Sequence, residues 1–242
     1  MTSKSSRNPI AVLVILGLTV AGILSSCSQA PSQALDPQEA ALALLRQDSQ
    51  LEPRLHFYSG FPGFAEISIS VAGENPVERA RNFLNTYQDL YLQNDSNLSL
   101  EVLRQEGEVV VFFQTYKTLR VFAAQMAVNL EGDTVFATVG RLLTSEVEQQ
   151  ALDILPAITD QDAIALARAE LDLAEAKVIG SPELVVFDPS FVSEAPAVVH
   201  LAWQFTLLGE QTIQVLVEAH TGEILFSEPF SLNLIDLDMQ DA

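Results

Sequence analysis

Residues 200–226 have the sequence HLAWQFTLLGEQTIQVLVEAHTGEILF, and this stretch decides the fold class that we expect for the second half of the chain. Alternating apolar residues in 198–208 and 213–218 are separated by a short turn that contains glycine, a pattern typical of a β-hairpin. A Thr-Gly pair at 221–222 precedes a last apolar run, and glycine suits a turn with positive φ. The stretch therefore predicts three antiparallel strands.

The same stretch raises the question of a metal or catalytic site, because it holds the only Trp of the chain, Trp203, and two of its three His. His200 and His220 would face each other if their strands were paired. However, zinc sites usually space their ligands a few residues apart, and no pair among His56, His200 and His220 has that spacing. Cys27 is the only Cys. We therefore expect no metal, cofactor or catalytic residue, and we expect Trp203 to be a core side chain.

A helix is predicted immediately before these strands. Residues 159–162, Thr-Asp-Gln-Asp, have the pattern of a capping box, and the acidic first turn suits the helix dipole. Residues 145–157 look like a connector to the first half. The apolar face of the helix comprises Ala163, Ile164, Ala167 and Leu171.

The first half of the chain repeats this plan. Asn75 is a good N-cap, Pro76 suits the first helical position, and Glu78 is placed to reach back to the cap, so we expect a helix from here to about Leu92. A hairpin precedes it and a strand meander follows. The sequence thus predicts an α+β fold of two tandem units, each with one helix packed on an antiparallel β-meander.

Residues 1–26 have the features of a processing segment. Lys4 and Arg7 precede an apolar run, Ile10–Leu24, whose 15 residues fit a signal peptide and are short for a membrane span. The run ends in Leu-Ser-Ser-Cys, which resembles a bacterial lipobox. That resemblance implies cleavage before Cys27 and acylation of its thiol, palmitate being a typical chain. The alternative is an ordinary signal peptide or anchor helix with an incidental Cys.

The lipobox-like segment implies where the rest of the chain lies. We expect it to be extracytoplasmic and lipid-anchored to a bacterial cell membrane or outer membrane. Residues 27–51 begin as a Ser/Gln/Ala/Pro tether. From Pro37 they form a predicted short helix in which Ala40, Leu44 and Leu45 share one face.

The charge argues against two classes of partner. The chain has a formal charge of −20, and residues 1–26 contain two basic and no acidic residues, so the remainder carries 10 basic and 32 acidic residues, or −22. Such a chain does not suit nucleic acid or the surface of anionic lipid. It favours solubility or a cationic partner.

In residues 56–228 the order of elements resembles the propeptides of thermolysin-like metalloproteases, in which an FTP (fungalysin/thermolysin propeptide) domain precedes a PepSY domain of PepSY/cystatin-like fold. The FTP-like motifs are Phe-Gln-Thr-Tyr at 113–116, Val-Phe-Ala at 121–123 and a strand-turn-strand from Gly132 to Gly140. The PepSY-like motif is Val-Glu-Ala-His-Thr-Gly at 217–222. The implied domains are 52–144, FTP-like, and 157–230, PepSY-like, followed by an acidic tail, 231–242.

The resemblance implies a binding module for a secreted metallopeptidase, acting as an inhibitor or as a folding assistant. It suggests five candidate partner-binding residues. Each has a structural alternative. Gln114 and Tyr116 could brace the sheet, and Trp203 could pack in the core. Glu218 and Gly222 could serve the chemistry of the turn. The candidates are Gln114, Tyr116, Trp203, Glu218 and Gly222.

Three departures from the family pattern leave other functions open. Thr118-Leu119-Arg120 replaces the usual Gly-Val, Glu218 replaces an Asp, and no His-Glu-x-x-His motif occurs in the sequence. We therefore expect that this chain is not an enzyme. The alternative function is that of a structural or scaffolding envelope lipoprotein without a protease partner. The tail is expected to be an edge strand, a free tail or a peptide for a protease cleft.

Overall fold

Four α-helices and ten strands form the described part of the computed structural model, which covers residues 36–58, 60–91, 96–144, 152–193 and 196–229. These residues fall within one compact unit, Leu35–Ala242, and the α+β class predicted from the sequence is confirmed. The helices are α1 (Pro37–Asp48), α2 (Pro76–Thr86), α3 (Gln88–Tyr91) and α4 (Asp160–Glu170). The strands are β1 (Arg54–Tyr58), β2 (Phe61–Ser70), β3 (Leu98–Glu106), β4 (Val109–Tyr116), β5 (Leu119–Glu131), β6 (Thr134–Arg141), β7 (Lys177–Phe187), β8 (His200–Leu208), β9 (Thr212–Glu218) and β10 (Ile224–Pro229).

Helices α2 and α4 begin at the caps that the sequence predicted. The side chain of Asn75 accepts a hydrogen bond from the N–H of Glu78 at 3.0 Å. The Glu78 carboxylate accepts from the N–H of Glu74 and not from the cap residue, so the predicted return bond to Asn75 was wrong. At α4 the capping box is complete, because Thr159 and Asp162 exchange backbone-to-side-chain hydrogen bonds in both directions.

The predicted helix of 75–92 is interrupted at Tyr87. Its ring lies 5.0 Å from that of Phe83, and its hydroxyl donates to Asp48 at the end of α1. The backbone at Tyr87 leaves helical geometry, and α3 starts anew at Gln88. A contact to a distant helix thus ends α2 earlier than its periodicity indicates.

Residues 37–48, which lie within the predicted tether, form α1 against the core. Ala41 and Leu45 are its buried residues, whereas Ala40 and Leu44 are exposed, so the predicted apolar face of Ala40, Leu44 and Leu45 was wrong. The buried face begins one residue later, at Ala41, because α1 packs against α3 and against the side chains of the first hydrophobic cluster. Among the described helices, none is both long and apolar enough to cross a bilayer.

The strands pair into one sheet through the long strand β5. The order is β1-β2-β6-β5-β7-β8-β9-β10. In addition, β4 pairs with β5 on one side and with β3 on the other. All pairings are antiparallel except that of Arg120 and Val121 in β5 with Val185 and Val186 in β7. A parallel pairing joins strands that are distant in sequence, and the sequence patterns did not predict it.

Hydrophobic clusters lie on both sides of this junction. Helices α1, α2 and α3 cover the sheet of the first half, and α4 covers β8 and β9. Between them, the ring of Phe122 of β5 packs edge-on against that of Phe187 of β7, with 5.7 Å between ring centroids. It also lies 5.9 Å from the ring of Phe226 of β10. The residue after Phe122, Ala123, has a φ of +59°, an irregularity within β5.

Candidate partner-binding site

The Thr-Gly turn between β9 and β10 is organised by the carboxylate of Glu218. It accepts hydrogen bonds from the N–H groups of His220 at 2.8 Å and Thr221 at 2.6 Å. The imidazole Nδ1 of His220 lies 3.1 Å from the other carboxylate oxygen. The side chain of Glu218 is 11% exposed, so its charge is largely satisfied within the turn.

The pKa of Glu218 reflects two opposing influences. Burial opposes ionisation and acts to raise the pKa, but hydrogen bonds from His220 and Thr221 favour the carboxylate. The hydrogen bonds prevail together, and the pKa of Glu218 lies below its ordinary value. The turn therefore holds Glu218 in its ionised form.

Gly222 is required for two separate reasons. Its φ is +81°, a backbone conformation that side chains with a Cβ disfavour. A Cβ built there would lie 2.5 Å from Cδ1 of Leu166 on α4, so the helix sits directly against the turn. Its N–H donates to the backbone carbonyl of Glu218 at 2.9 Å, which closes the turn.

Trp203 is tied to the same region from β8. Its indole N–H donates to the carbonyl of Ile158 at 3.0 Å, and its half-buried ring packs with the cluster under α4. The backbone of Ile158 in turn donates to Ala219 at 3.0 Å. Trp203, Glu218 and Gly222 are thus brought together around one turn, with Ile158 as the link.

Ile158 is a residue that our sequence interpretation missed. It directly precedes the helix cap Thr159, and it belongs with Ala163 to the cluster under α4. An apolar residue before the cap that packs near the fourth helical position is the hydrophobic staple pattern. That pattern would have identified it from the sequence.

Gln114 and Tyr116 lie elsewhere, on β4. The side-chain amide of Gln114 donates to the carbonyl of Leu143 at 3.0 Å and accepts from its N–H at 2.7 Å. Both side chains are almost fully buried, Gln114 at 0% and Tyr116 at 1% exposure. Gln114 therefore pairs with the backbone of Leu143 as a neighbouring strand would, which is the bracing alternative. A direct contact of Gln114 or Tyr116 with a partner stays a prediction.

The three His lie on different elements. The ring of His56 on β1 is tilted against that of Phe64 at 5.9 Å, His200 begins β8, and His220 lies in the turn beside Glu218. Within the described ranges no group of three or more His, Cys, Asp or Glu side chains is arranged to hold a metal ion. Cys27, the predicted lipidation site, and the tail 231–242 lie outside the described residues.

A second surface feature lies at the other end of α4. A cavity of about 680 Å³ opens between residues 172–176, which follow the helix, and the β8–β9 turn at 209–213. Leu173, Ala176 and Ile213 give it apolar walls, and three acidic residues line it as well. The acidic residues are Asp172, Glu175 and Glu210.

No protein-family model matches the chain, and no curated protein matches it. Several solved chains are similar to it, among them these two. One is the C-terminal domain of YpeB from Bacillus megaterium, 13% identical over 80% of this chain and 97% of that chain, with a TM-score of 0.40. The other is a candidate lipoprotein from Clostridium difficile 630, 16% identical over 64% of this chain and 91% of that chain, with a TM-score of 0.26. Alignments this loose assign neither a family nor a function.

Proposed function

We propose that the chain is an extracytoplasmic binding module, lipid-anchored through Cys27, that binds a secreted metallopeptidase and inhibits it or assists its folding. In this proposal an FTP-like unit, 52–144, precedes a PepSY-like unit, 157–230, and the chain has no catalytic activity or cofactor of its own. The order and spacing of the motifs in 113–140 and 217–222 support it.

The observation that carries the proposal is the fixed junction between the two halves. Besides the pairing of β5 with β7, the guanidinium of Arg141 donates to the carbonyl of Phe191 at 2.6 Å and lies over the rings of Tyr58 and Phe191. A junction held in this way presents the two halves as one surface. A preorganised surface loses less conformational freedom on binding, which favours affinity.

The internal use of the candidate polar residues is also in keeping with a binding role. Three candidate side chains form hydrogen bonds within the chain, those of Gln114, Trp203 and Glu218. They shape strand ends and a turn, and the surface they support would meet the partner. Inhibition of this kind covers a cleft and excludes substrate, so it needs no reactive side chain.

The test is an activity assay with thermolysin-type metallopeptidases secreted by the same organism. Residues 28–242 are added to each mature enzyme and to each denatured enzyme during refolding, with hydrolysis of a peptide substrate as the readout. Inhibition of a mature enzyme supports the inhibitor, and a higher refolding yield supports the folding assistant. If no enzyme is bound, inhibited or assisted, the proposal is wrong.

A matched pair of variants tests whether the junction matters. Phe122→Ala removes an aromatic ring that connects the two halves, whereas Phe136→Ala removes a ring of β6 that is 44% exposed. We expect Phe122→Ala to weaken the effect on the peptidase and Phe136→Ala to leave it nearly unchanged. Crosslinking of the anchored chain to envelope proteins other than peptidases would instead favour the scaffolding alternative.

A further inference from the structure

The acidic charge of the chain is concentrated in its second half. The described residues of 36–144 comprise 13 acidic and 8 basic side chains, whereas those of 152–229 comprise 12 acidic and only 2 basic ones. One of the two, Arg168, donates to the carbonyl of Ala176 and so is engaged at the end of α4. The second half therefore presents a surface with little local compensation of its negative charge.

Helix α4 carries a partly exposed apolar strip next to its buried side. Ala163 and Ala167 are fully buried against β8 and β9, while Ala165 and Ala169 are exposed on another side. Leu166 lies at the edge of that side, where its Cδ1 approaches Gly222, and it is still 43% exposed. We call this side the α4 face, and it consists of Asp162, Ala165, Leu166, Ala169 and Glu170, all of them exposed.

The α4 face leads directly into the cavity of about 680 Å³. Glu170 ends the helix, and Asp172, two residues later, already lines the cavity. Leu173 and Ile213 give the cavity apolar walls, and its acidic residues add carboxylates to those of the α4 face. Face and cavity together offer an apolar centre with carboxylates at both ends.

We infer that the α4 face and its cavity are a docking surface for a partner protein that presents Lys and Arg side chains around an apolar segment. The inference deepens the proposed function, since it assigns the partner a chemistry and a place to bind. Charge complementarity is the argument for this occupant, because the surface combines exposed apolar atoms with carboxylates. The cavity would receive one long side chain of the partner, whose aliphatic stem fits the walls and whose charge reaches the carboxylates.

The dimensions of the surface favour a protein segment as the occupant. The 11 residues of α4 extend over about 16 Å, which matches a few turns of a partner helix. An anionic membrane would be repelled by the same carboxylates. A second copy of this half would bring like charges together, which costs affinity.

The experiment uses two synthetic helical peptides of about 18 residues, a length that supports helix formation. Both have one Leu stripe, and their polar positions are Lys in one peptide and Glu in the other. Residues 28–242 are titrated with each, and backbone amide exchange locates the contact. We expect the Lys peptide alone to bind, with slower exchange in residues 160–176 and 209–213 and weaker binding as salt rises.

Matched variants separate a specific surface from general attraction to an acidic protein. Glu170→Lys with Glu175→Lys changes the docking surface, and Glu52→Lys with Glu101→Lys makes the same change in net charge on exposed positions of the first half. We expect about tenfold weaker binding for the first pair, since each reversal removes one attraction and adds one repulsion. The second pair should change the affinity less than about twofold.

A third variant tests the apolar strip. Ala169→Gln keeps helix propensity and adds a polar side chain to the centre of the α4 face, so we expect it to weaken binding of the Lys peptide. The inference is overturned if both charge-reversed pairs lose the same affinity, if exchange slows only outside 160–176 and 209–213, or if Ala169→Gln binds as tightly as the unchanged chain.

The same variants keep this inference distinguishable from the proposed function. If a metallopeptidase is inhibited equally by the chain with and without Glu170→Lys and Glu175→Lys, the function holds and the docking surface is wrong. If the Lys peptide docks at the α4 face but no peptidase is affected, the docking surface holds and the metallopeptidase function is wrong.

Discussion

At the scale of single residues, the Thr-Gly turn shows how one side chain serves several neighbours. Glu218 accepts hydrogen bonds from two backbone N–H groups and contacts the ring of His220. Its removal would leave these donors without their acceptor in a region that is mostly buried. Such a residue is expected to matter for stability, which agrees with the turn-chemistry alternative that the sequence offered for it.

We predict that Glu218→Gln destabilises the protein by about 2 kcal/mol at neutral pH, because an amide accepts hydrogen bonds less well than a carboxylate and brings donors of its own. Since the folded pKa of Glu218 is lowered, its contribution is present above the pKa of the unfolded chain and is lost as pH falls through the folded pKa. Urea unfolding between neutral and acidic pH measures both effects. Glu223→Gln, at an exposed position of the same turn, is the control and should change little.

Gly222 allows backbone strain to be separated from steric overlap. Gly107 also has a positive φ, +60°, but a Cβ there would meet nothing within 4 Å. We predict a loss of about 1 kcal/mol for Gly107→Ala and a somewhat larger loss for Gly222→Ala, because the end of the Leu166 side chain must move away from the new Cβ. Thermal unfolding measures both. If Leu166→Ala does not recover part of the loss at Gly222, the overlap is not its cause.

At the scale of elements, the sequence predicted local features well and long-range ones poorly. The caps at Asn75 and Thr159 and the Thr-Gly turn were found because a few adjacent residues determine them. The break at Tyr87 was missed, since its hydroxyl bonds to Asp48, 39 residues away. The candidate site was likewise predicted residue by residue, but its link, the carbonyl of Ile158 beneath Trp203, depends on how β8 meets the segment before α4.

The bracing of Leu143 by Gln114 is a second element-scale feature. We predict that Gln114→Leu costs about 3 kcal/mol, because it leaves a buried N–H and a buried carbonyl of Leu143 without their partner. Gln105→Leu, on the exposed side of the neighbouring strand β3, is the matched control and should cost far less. Equal midpoints of the two variants in urea would contradict the bracing role.

The irregularity in β5 leads to a prediction of unchanged or increased stability, in contrast to the losses predicted above. Ala123 has a φ of +59°, so Ala123→Gly relieves strain, and we expect it to be neutral or stabilising by up to about 1 kcal/mol. Ala127, in the paired part of the same strand, has no such strain, and Ala127→Gly should destabilise by about 1 kcal/mol. Measured by thermal unfolding, a similar loss for both variants would show that the β5 irregularity is not strained.

At the scale of the whole molecule, the sequence indicated two tandem units but not how they are joined. The parallel pairing of β5 with β7 and the contacts of Phe122 connect residues more than 60 positions apart, and no local pattern encodes them. Extensive packing between the halves couples their stability, because one half cannot unfold without exposing the apolar side chains that the other half covers. We therefore expect a single unfolding transition and not two.

The distribution of aromatic residues makes this coupling measurable. The only Trp of the chain, Trp203, lies in the second half, and all four Tyr lie in the first. We predict that Trp fluorescence and Tyr absorbance give the same urea midpoint in the unchanged chain. Phe122→Ala should lower both midpoints and separate them, since it removes an aromatic contact between the halves, whereas Phe136→Ala should leave them coincident. Two midpoints in the unchanged chain would mean that the halves are independent, and the fixed surface on which the binding proposal rests would then be lost.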